Sequence, residues 1–355
     1  MKKETRNGPL VSVVIPTYAR RDRISLVLER LIDQDVPFDY EIIVVDDGSP
    51  EPVETHVRRV TKQTAVPVRI IRKTNGGPAS ARNFGAREAR GQYLLFCDDD
   101  MLVERNFVRG HVETQEEFGP GLVNCQIEWK LVPQPGPFHD WCERRLGQWM
   151  DARWEQARKL SVDVYRIPGV LMMSCNLSIR REEFIHSGGL DEGYIWGACE
   201  DQDFGLRMEE KGMSSFLTLR TSAVHVDTSN TLARFCLRQQ RGAEDTVRLV
   251  QRFAVSERFG RPSIAREYDP VSLKVDSPRL VVKKLLRQVF GAPGVARIAL
   301  ASVSLVETLS PKSGLLPVMY DFLISTHRQR GWRAGLRKHR SQASFSECGP
   351  AGQSP

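Results

Sequence analysis

The sequence has no long hydrophobic run. No uncharged apolar stretch approaches the roughly 18 residues of a membrane-spanning helix, and the longest candidate, Ile298 to Val306, is about half that. The N-terminus, Met1-Lys-Lys-Glu-Thr-Arg-Asn-Gly-Pro, turns polar where a signal peptide would need an apolar stretch of roughly seven residues or more. Paired cysteines are absent too. The seven present (97, 125, 142, 175, 199, 236, 348) are odd in number, widely spaced and form no Cys-x-x-Cys, which argues against zinc and a disulfide framework. These features predict reduced thiols and a cytoplasmic location. No Gly-x-Gly-x-x-Gly follows the first apolar run, which argues against a Rossmann dehydrogenase. The main body also lacks a basic excess. Residues 256–355 hold 16 Lys+Arg against 7 Asp+Glu, leaving 35 against 37 for residues 1–255, so the basic character belongs to the tail and no nucleic-acid partner is expected.

With 355 residues, 41% hydrophobic and 27% charged, the chain has the composition of a large globular protein. Residues 10–97 alternate short β-branched runs with helical patterns. Strands are expected at Val11–Ile15, Glu41–Val45, Val68–Ile71 and Gln92–Cys97. Between them fall Ile24, Val27, Leu28, Leu31 and Ile32 at helical spacing, a helix near 53–63, and an Ala-rich helix opened by Asn75-Gly76-Gly77-Pro78, with proline at its first position. Strands separated by about one helix imply right-handed crossovers and a mostly parallel sheet. Further along, 104–118 reads as a helix, Leu122–Gln126 as a strand and 169–180 as a buried strand. Trp141, Trp149 and Trp154 read either as core-facing helix residues or as a sugar platform.

Three polar loops at the carboxyl ends of successive strands make a ligand crevice: Pro16-Thr17-Tyr18, Asp46-Asp47-Gly48-Ser49 and Asp98-Asp99-Asp100. Three adjacent carboxylates repel one another, so they are expected where a cation or a hydroxyl-rich ligand gathers them. The competing reading of Asp46-Asp47-Gly48 is a turn that caps the next helix.

Seven segments in order resemble family 2 glycosyltransferases of the GT-A fold. They are Val-Val-Ile-Pro-Thr-Tyr-Ala-Arg (13–20), Ile-Val-Val-Asp-Asp-Gly-Ser (43–49), Asn-Gly-Gly-Pro-Ala-Ser-Ala-Arg-Asn (75–83), Phe-Cys-Asp-Asp-Asp-Met (96–101), Asn-Leu-Ser-Ile-Arg-Arg-Glu (176–182), Gly-Gly-Leu-Asp-Glu (188–192) and Glu-Asp-Gln-Asp-Phe (200–204). The resemblance, carried by residues 10–225, implies an α/β, Rossmann-like, mostly parallel sheet flanked by helices, and the patterns after about residue 256 add a C-terminal helical extension. It also implies sugar transfer, with inversion, from a nucleotide-diphospho-sugar, UDP-linked by resemblance, to a hydroxyl acceptor in glycan, glycolipid or glycoconjugate synthesis, and the absence of a processive-synthase motif and of spanning helices favours a single sugar per transfer. Thr17, Arg20, Asp46, Asp47, Asn75, Gly76, Arg82, Asp98 and Asp99 would hold the donor, with Asp47 accepting from a base N–H and Arg82 steadying the diphosphate or serving as a structural ion-pair partner. Asp100, with Asp98 and His225, would hold Mg²⁺ or Mn²⁺, which neutralises charge on the leaving diphosphate. His225, between two valines, also reads as a packed strand residue. Asp201 resembles the base that deprotonates the acceptor, with Glu200 and Asp203 as rivals. Here the motif reads Trp196-Gly-Ala-Cys-Glu-Asp, one residue longer than the commoner Trp-Gly-Gly-Glu-Asp.

The Gln-x-x-Arg-Trp of processive synthases is missing, and Arg238-Gln239-Gln240-Arg241-Gly242 stands in its place. A nucleotidyltransferase of related fold would carry a Gly-rich basic loop after the first strand, which Pro16-Thr17-Tyr18 is not, and intact Asp100 and Asp201 speak against a non-catalytic sugar-nucleotide-binding protein. The expected organisation is a nucleotide-sugar half at 1–105, an acceptor half at 106–255, a basic helical extension at 256–340 and a disordered tail at 341–355. In residues 279–290, Val281, Val282, Leu285, Leu286, Val289 and Phe290 form an apolar stripe with Lys283, Lys284 and Arg287 largely opposite. The stripe fits either packing on the catalytic core or peripheral contact with an anionic inner membrane leaflet, beside a lipid-linked acceptor.

Overall fold

The computed structural model describes residues 8–131, 136–227, 231–253 and 267–347. Contacts divide the chain into two units, one of residues 1–132 and 146–228, the other of 133–145 and 229–355. The division thus falls at 228/229, not near 255, because the long helix Leu232–Phe253 shares its contacts with the C-terminal helices.

The first unit holds a ten-stranded sheet. Its N-terminal part runs β1 (Val11–Thr17), α1 (Arg21–Leu31), β2 (Tyr40–Asp46), α2 (Glu54–Thr61), β3 (Val68–Arg72), α3 (Pro78–Glu88) and β4 (Tyr93–Phe96). It continues through β5 (Met101–Val103), α4 (Phe107–Phe118), β6 (Gly121–Leu131), α5 (Pro137–Trp154, begun in the second unit), β7 (Arg158–Lys159), β8 (Val164–Ile167), β9 (Leu177–Arg180), α6 (Arg181–His186), α7 (Glu200–Glu210) and β10 (Ser214–Asp227). Strand order is β3-β2-β1-β4-β9-β6-β10-β8-β7, with β5 on β10. β1, β2 and β4 are buried at every position, as parallel strands covered on both faces must be.

β3, β2, β1 and β4 pair parallel as their spacing predicts. Beyond β4 the sheet becomes mixed, since β9 pairs antiparallel with both β4 and β6, and β10 pairs parallel with β6 but antiparallel with β5 and β8. The expected strand 169–180 resolves into two 3₁₀ turns, Gly169–Leu171 and Ser174–Asn176, ahead of a four-residue β9. The apolar run there is a buried loop rather than strand, which periodicity cannot distinguish.

In the second unit α8 (Leu232–Phe253) lies along α11 (Leu316–Glu347), with Val247, Tyr268 and Trp332 at the core. Trp141, near the start of α5, is also a core residue here, stacked on Phe138 at 5.7 Å and edge-on to Tyr320 at 5.8 Å. The side chains of Trp149 and Trp154 lie outside the described part. Residues 341–347, expected to be disordered, belong to α11, and 348–355 lie outside the described residues.

α9 (Pro278–Phe290) begins as its sequence directs, with Pro278 at its first position and Ser277 Oγ accepting from Leu280 N. Its apolar stripe, however, is not turned inward as the packing alternative requires. Lys284 and Arg287 are each 1% exposed. Lys284 pairs with Asp276 at 2.8 Å, and Arg287 with Glu267 at 2.6 Å and Ser325 Oγ at 3.1 Å. Val282, Leu285, Leu286 and Val289 stand exposed instead. Helical periodicity separates two faces but does not say which one meets the rest of the unit, and here the carboxylates of buried Asp276 and half-buried Glu267 claimed the basic face. α10 (Pro293–Leu309) likewise leaves Ile298, Leu305 and Leu309 exposed.

Candidate active site

β1 and β2 pair in register so that Thr17 faces Asp46, bringing the first two loops together. Asp46 Oδ1 accepts from Ser49 N at 2.9 Å, closing the turn. At Gly48, φ is +74°, and a Cβ would lie 2.8 Å from Asn75 N, so only glycine lets this turn meet the following loop. The Asp47 carboxylate is then spent on that loop. It accepts from Gly76 N at 3.0 Å, Gly77 N at 2.8 Å and Lys73 Nζ at 2.7 Å, while Asn75 Nδ2 donates to the Asp47 carbonyl at 2.9 Å. The expected base contact of Asp47 competes with bonds already made, and its role in this arrangement is to hold residues 73–77 over the end of β2.

β4 delivers the acidic triplet. Because β5 pairs antiparallel with β10, with Met101 opposite His225, the triplet is folded back beside that histidine. Thr17 Oγ1 donates to Asp99 Oδ2 at 2.7 Å and Arg20 Nη1 to Asp99 Oδ1 at 3.2 Å. Burial pushes the Asp99 carboxyl up to about 7. Arg20 also pairs with Asp100, and Arg23 Nη1 lies 3.5 Å from Asp100 Oδ2. His225 Nε2 is 3.4 Å from Asp100 Oδ1, and its ring stands 4.1 Å from that of Trp129, its register partner on β6.

Asp100 Oδ1 is buried without a hydrogen-bond donor, and so is His225 Nδ1. A hard divalent cation accepts carboxylate oxygen, and Mn²⁺-type ions also accept imidazole nitrogen. Asp100 Oδ1, unpartnered and 3.4 Å from His225 Nε2, therefore fits such an ion, with that nitrogen beside it as a second donor. Among the described residues no three His, Cys, Asp or Glu groups converge on one point. Asp98, expected as a ligand, faces elsewhere, accepting from Arg82 Nη2 at 2.5 Å.

Arg82 links the acidic triplet to the second acidic motif. Its buried guanidinium reaches Asp98 on one side and Glu200 Oε1, at 3.3 Å, on the other. Burial alone would lower it, but the two carboxylates outweigh that and hold it above its usual value. α7 begins at Glu200 after two left-handed residues, Gly197 at φ +66° and Cys199 at φ +74°, which is how the longer Trp-Gly-Ala-Cys-Glu-Asp stretch turns. A close approach seats the helix, since a Cβ on Gly205 would lie 1.9 Å from the Gly169 carbonyl oxygen. Burial and the neighbouring Asp201 raise the Glu200 carboxyl well above the carboxylate range, and burial raises Asp201 as well. Asp201 is held by Ser174 N at 3.3 Å and Gln202 N at 2.8 Å. Asp203, the other rival, is fully buried against Arg207 at 2.7 Å and Tyr194 Oη at 3.1 Å, which makes it a structural anchor rather than a base. Trp196 is partly exposed before this motif.

The chain matches the family described as Glycosyl transferase family 2 over residues 12–182. It is 40% identical over 235 residues to an uncharacterized glycosyltransferase of Haemophilus influenzae, covering 62% of this chain and 73% of that protein. The chain belongs to glycosyl transferase family 2. This family 2 member is also 30% identical over 232 residues to a validoxylamine A glucosyltransferase of Streptomyces hygroscopicus subsp. limoneus, covering 60% of this chain and 51% of that one. It spans 64% of the length of an uncharacterized glycosyltransferase of Bacillus subtilis. In structure it resembles a mannosyltransferase of Pyrobaculum calidifontis solved with GDP-Man and Mn²⁺, at a TM-score of 0.60 and 17% identity over 92% of this chain and 88% of that one, a likeness of GT-A fold.

Three residues of the family 2 site carry no local signal in the sequence. Arg23 is one more charged residue of an amphipathic helix, yet it pairs with Asp100 and donates to the Val226 carbonyl at 3.2 Å. Lys73 looks like a loop lysine. Trp129 meets His225 only because strands nearly a hundred residues apart in sequence are neighbours in the sheet.

Proposed function

We propose that this glycosyltransferase moves a single sugar, with inversion, from a nucleoside-diphosphate sugar, UDP-linked by resemblance, to a hydroxyl acceptor. The observation that carries the reading is Arg82, one buried cation touching both the acidic triplet and the motif of the candidate base. Asp201 takes the acceptor proton as the acceptor oxygen attacks the anomeric carbon and the bond to the diphosphate breaks on the opposite side. Burial and the neighbouring Asp201 raise the Glu200 carboxyl, and Glu200 is tied to Arg82, so Asp201 is the member of the pair assigned the acceptor proton. Asp100 and His225 would hold a Mg²⁺ or Mn²⁺ ion, which when bound supplies Lewis-acid neutralisation of the departing diphosphate. Thr17 and Arg20 position Asp99 at the donor loop, and Asp47 fixes the 73–77 loop through its backbone. A donor screen by nucleotide release, with UDP- and GDP-sugars and Mg²⁺ or Mn²⁺, tests it. One nucleoside-diphosphate sugar should be hydrolysed slowly or transferred, and release of diphosphate from nucleoside triphosphates alone would replace the reading with nucleotidyl transfer.

The second unit supports a membrane contact of different character from the electrostatic one its composition suggests. Among the described residues no single helix is long and apolar enough to cross a bilayer. The exposed faces of α9 and α10 nonetheless present apolar side chains, while Lys284 and Arg287 are committed to internal ion pairs. Contact with the inner leaflet would then be led by apolar insertion, with outlying cations such as Lys274, Arg279 and Arg297 secondary. In vesicle co-sedimentation, binding should survive raised salt and fall in Val282→Glu/Leu286→Glu, positions whose exposure leaves the fold intact. Full recovery of the wild type in the supernatant would remove the membrane role.

A further inference from the structure

The second unit contains a cleft of about 350 Å³ between α9, α11 and the Gln240 segment of α8, at the small end of ligand sites, which span roughly 300–1,000 Å³. Arg330, Arg333 and Arg337 line it from one face of α11, three and four residues apart, and Arg287 enters from α9. Arg287 is already compensated by Glu267, but among the described residues no carboxylate lines the cleft or pairs with the other three. Arg333 and Arg337 thus stand as like charges with no carboxylate in the cleft lining between them, and burial, then Arg337 beside it, lowers the Arg333 guanidinium below its usual value.

An independent observation points into the same space. Gln329 is 2% exposed, lines the cleft, and neither its Nε2 nor its Oε1 has a hydrogen-bond partner. A buried amide with both ends unsatisfied costs about 1–3 kcal/mol per group, which a polar ligand would recover.

We propose that this cleft binds a ligand through a phosphate or diphosphate group. Guanidinium forks match the paired oxygens of phosphate, and three uncompensated ones call for a multiply charged anion rather than a lone carboxylate. Gln329 supplies an N–H to a further oxygen. The chemistry is the same for a free phosphorylated molecule and for a phospholipid headgroup, and nothing in it draws on the sugar-transfer site.

The test is calorimetric titration of the whole chain with inorganic diphosphate in excess chelator, which keeps a cation-dependent contact at the acidic triplet from contributing. One saturable site is expected, weakened at least about tenfold in Arg333→Gln/Arg337→Gln. Among the described residues these side chains have no hydrogen-bond or ion-pair partner to lose, so the unliganded double variant should melt no lower than the wild type. Vesicles of phosphatidylcholine with and without phosphatidic acid separate the sources. Phosphatidic-acid-dependent retention that free diphosphate displaces and the double variant loses identifies a headgroup, whereas diphosphate binding without such retention identifies a free ligand. Absence of saturable binding at millimolar diphosphate, or equal affinity in the double variant, overturns the proposal.

Discussion

Asp201→Asn is expected to lower kcat by about 10²–10⁴-fold while leaving nucleotide-sugar affinity within a few-fold of the wild type. The change is isosteric, and the amide oxygen can keep the shorter of the two backbone contacts, from Gln202 N at 2.8 Å, giving up only the longer one from Ser174 N at 3.3 Å, so α7 should stay in place. What is lost is the capacity to take a proton. The wild-type pH profile gives a second readout. A general base works ionised, and burial raises the Asp201 carboxyl above its ordinary value. Activity should therefore be present at high pH and fall as pH drops through that raised value, so the acid limb of kcat/KM lies above the range of a free aspartate near 4. Donor affinity falling in step with rate would show that Asp201 holds the site together rather than acting on the acceptor. A product of retained anomeric configuration would remove the inverting mechanism.

Asp100→Ala is expected to abolish metal-stimulated transfer, a loss of several kcal/mol of transition-state stabilisation or on the order of 10³-fold. It removes the carboxylate facing His225 and leaves Arg20 and Arg23 without their shared partner. Titration with Mn²⁺ should raise the wild-type rate to a plateau and leave the variant flat, with circular dichroism unchanged. Wild-type turnover persisting in excess chelator would dispose of the metal role, and a variant that still responds to Mn²⁺ would move the ion away from Asp100. His225→Ala distinguishes the ligand from the packed-strand reading, since a ligand role raises the Mn²⁺ concentration needed for half-maximal rate, whereas loss of the Trp129 contact alone lowers stability.

Most of the first unit was legible along the chain. Short apolar runs such as Val11–Ile15, broken only by Ser12, and Tyr93–Phe96 suit strands covered on both faces, and the loops after them gather polar groups because strand ends do. The Gly77-Pro78 start of α3 and the Ser277-Pro278 start of α9 follow from capping chemistry that is local by nature. Less legible was the region beyond β4. The run at 169–176 is as apolar as a strand, but it passes over α7 and turns twice, a consequence of Gly169 meeting Gly205 thirty-six residues on.

The sequence by itself determined the family, the order of the loops and the acidic residues that reach the crevice, because each depends on residue types at fixed local spacing. Tertiary structure alone decided their partners. Asp98 went to Arg82 rather than to a shared metal pair, Asp47 to the 73–77 backbone, and Asp203 to Arg207 and Tyr194, since acceptors are claimed by whichever donors the strand order brings within reach. Structure alone also decided which face of α9 is inside. An amphipathic pattern is symmetric under exchange of interior and exterior until partners exist, and Asp276 and Glu267 supplied partners for the charges.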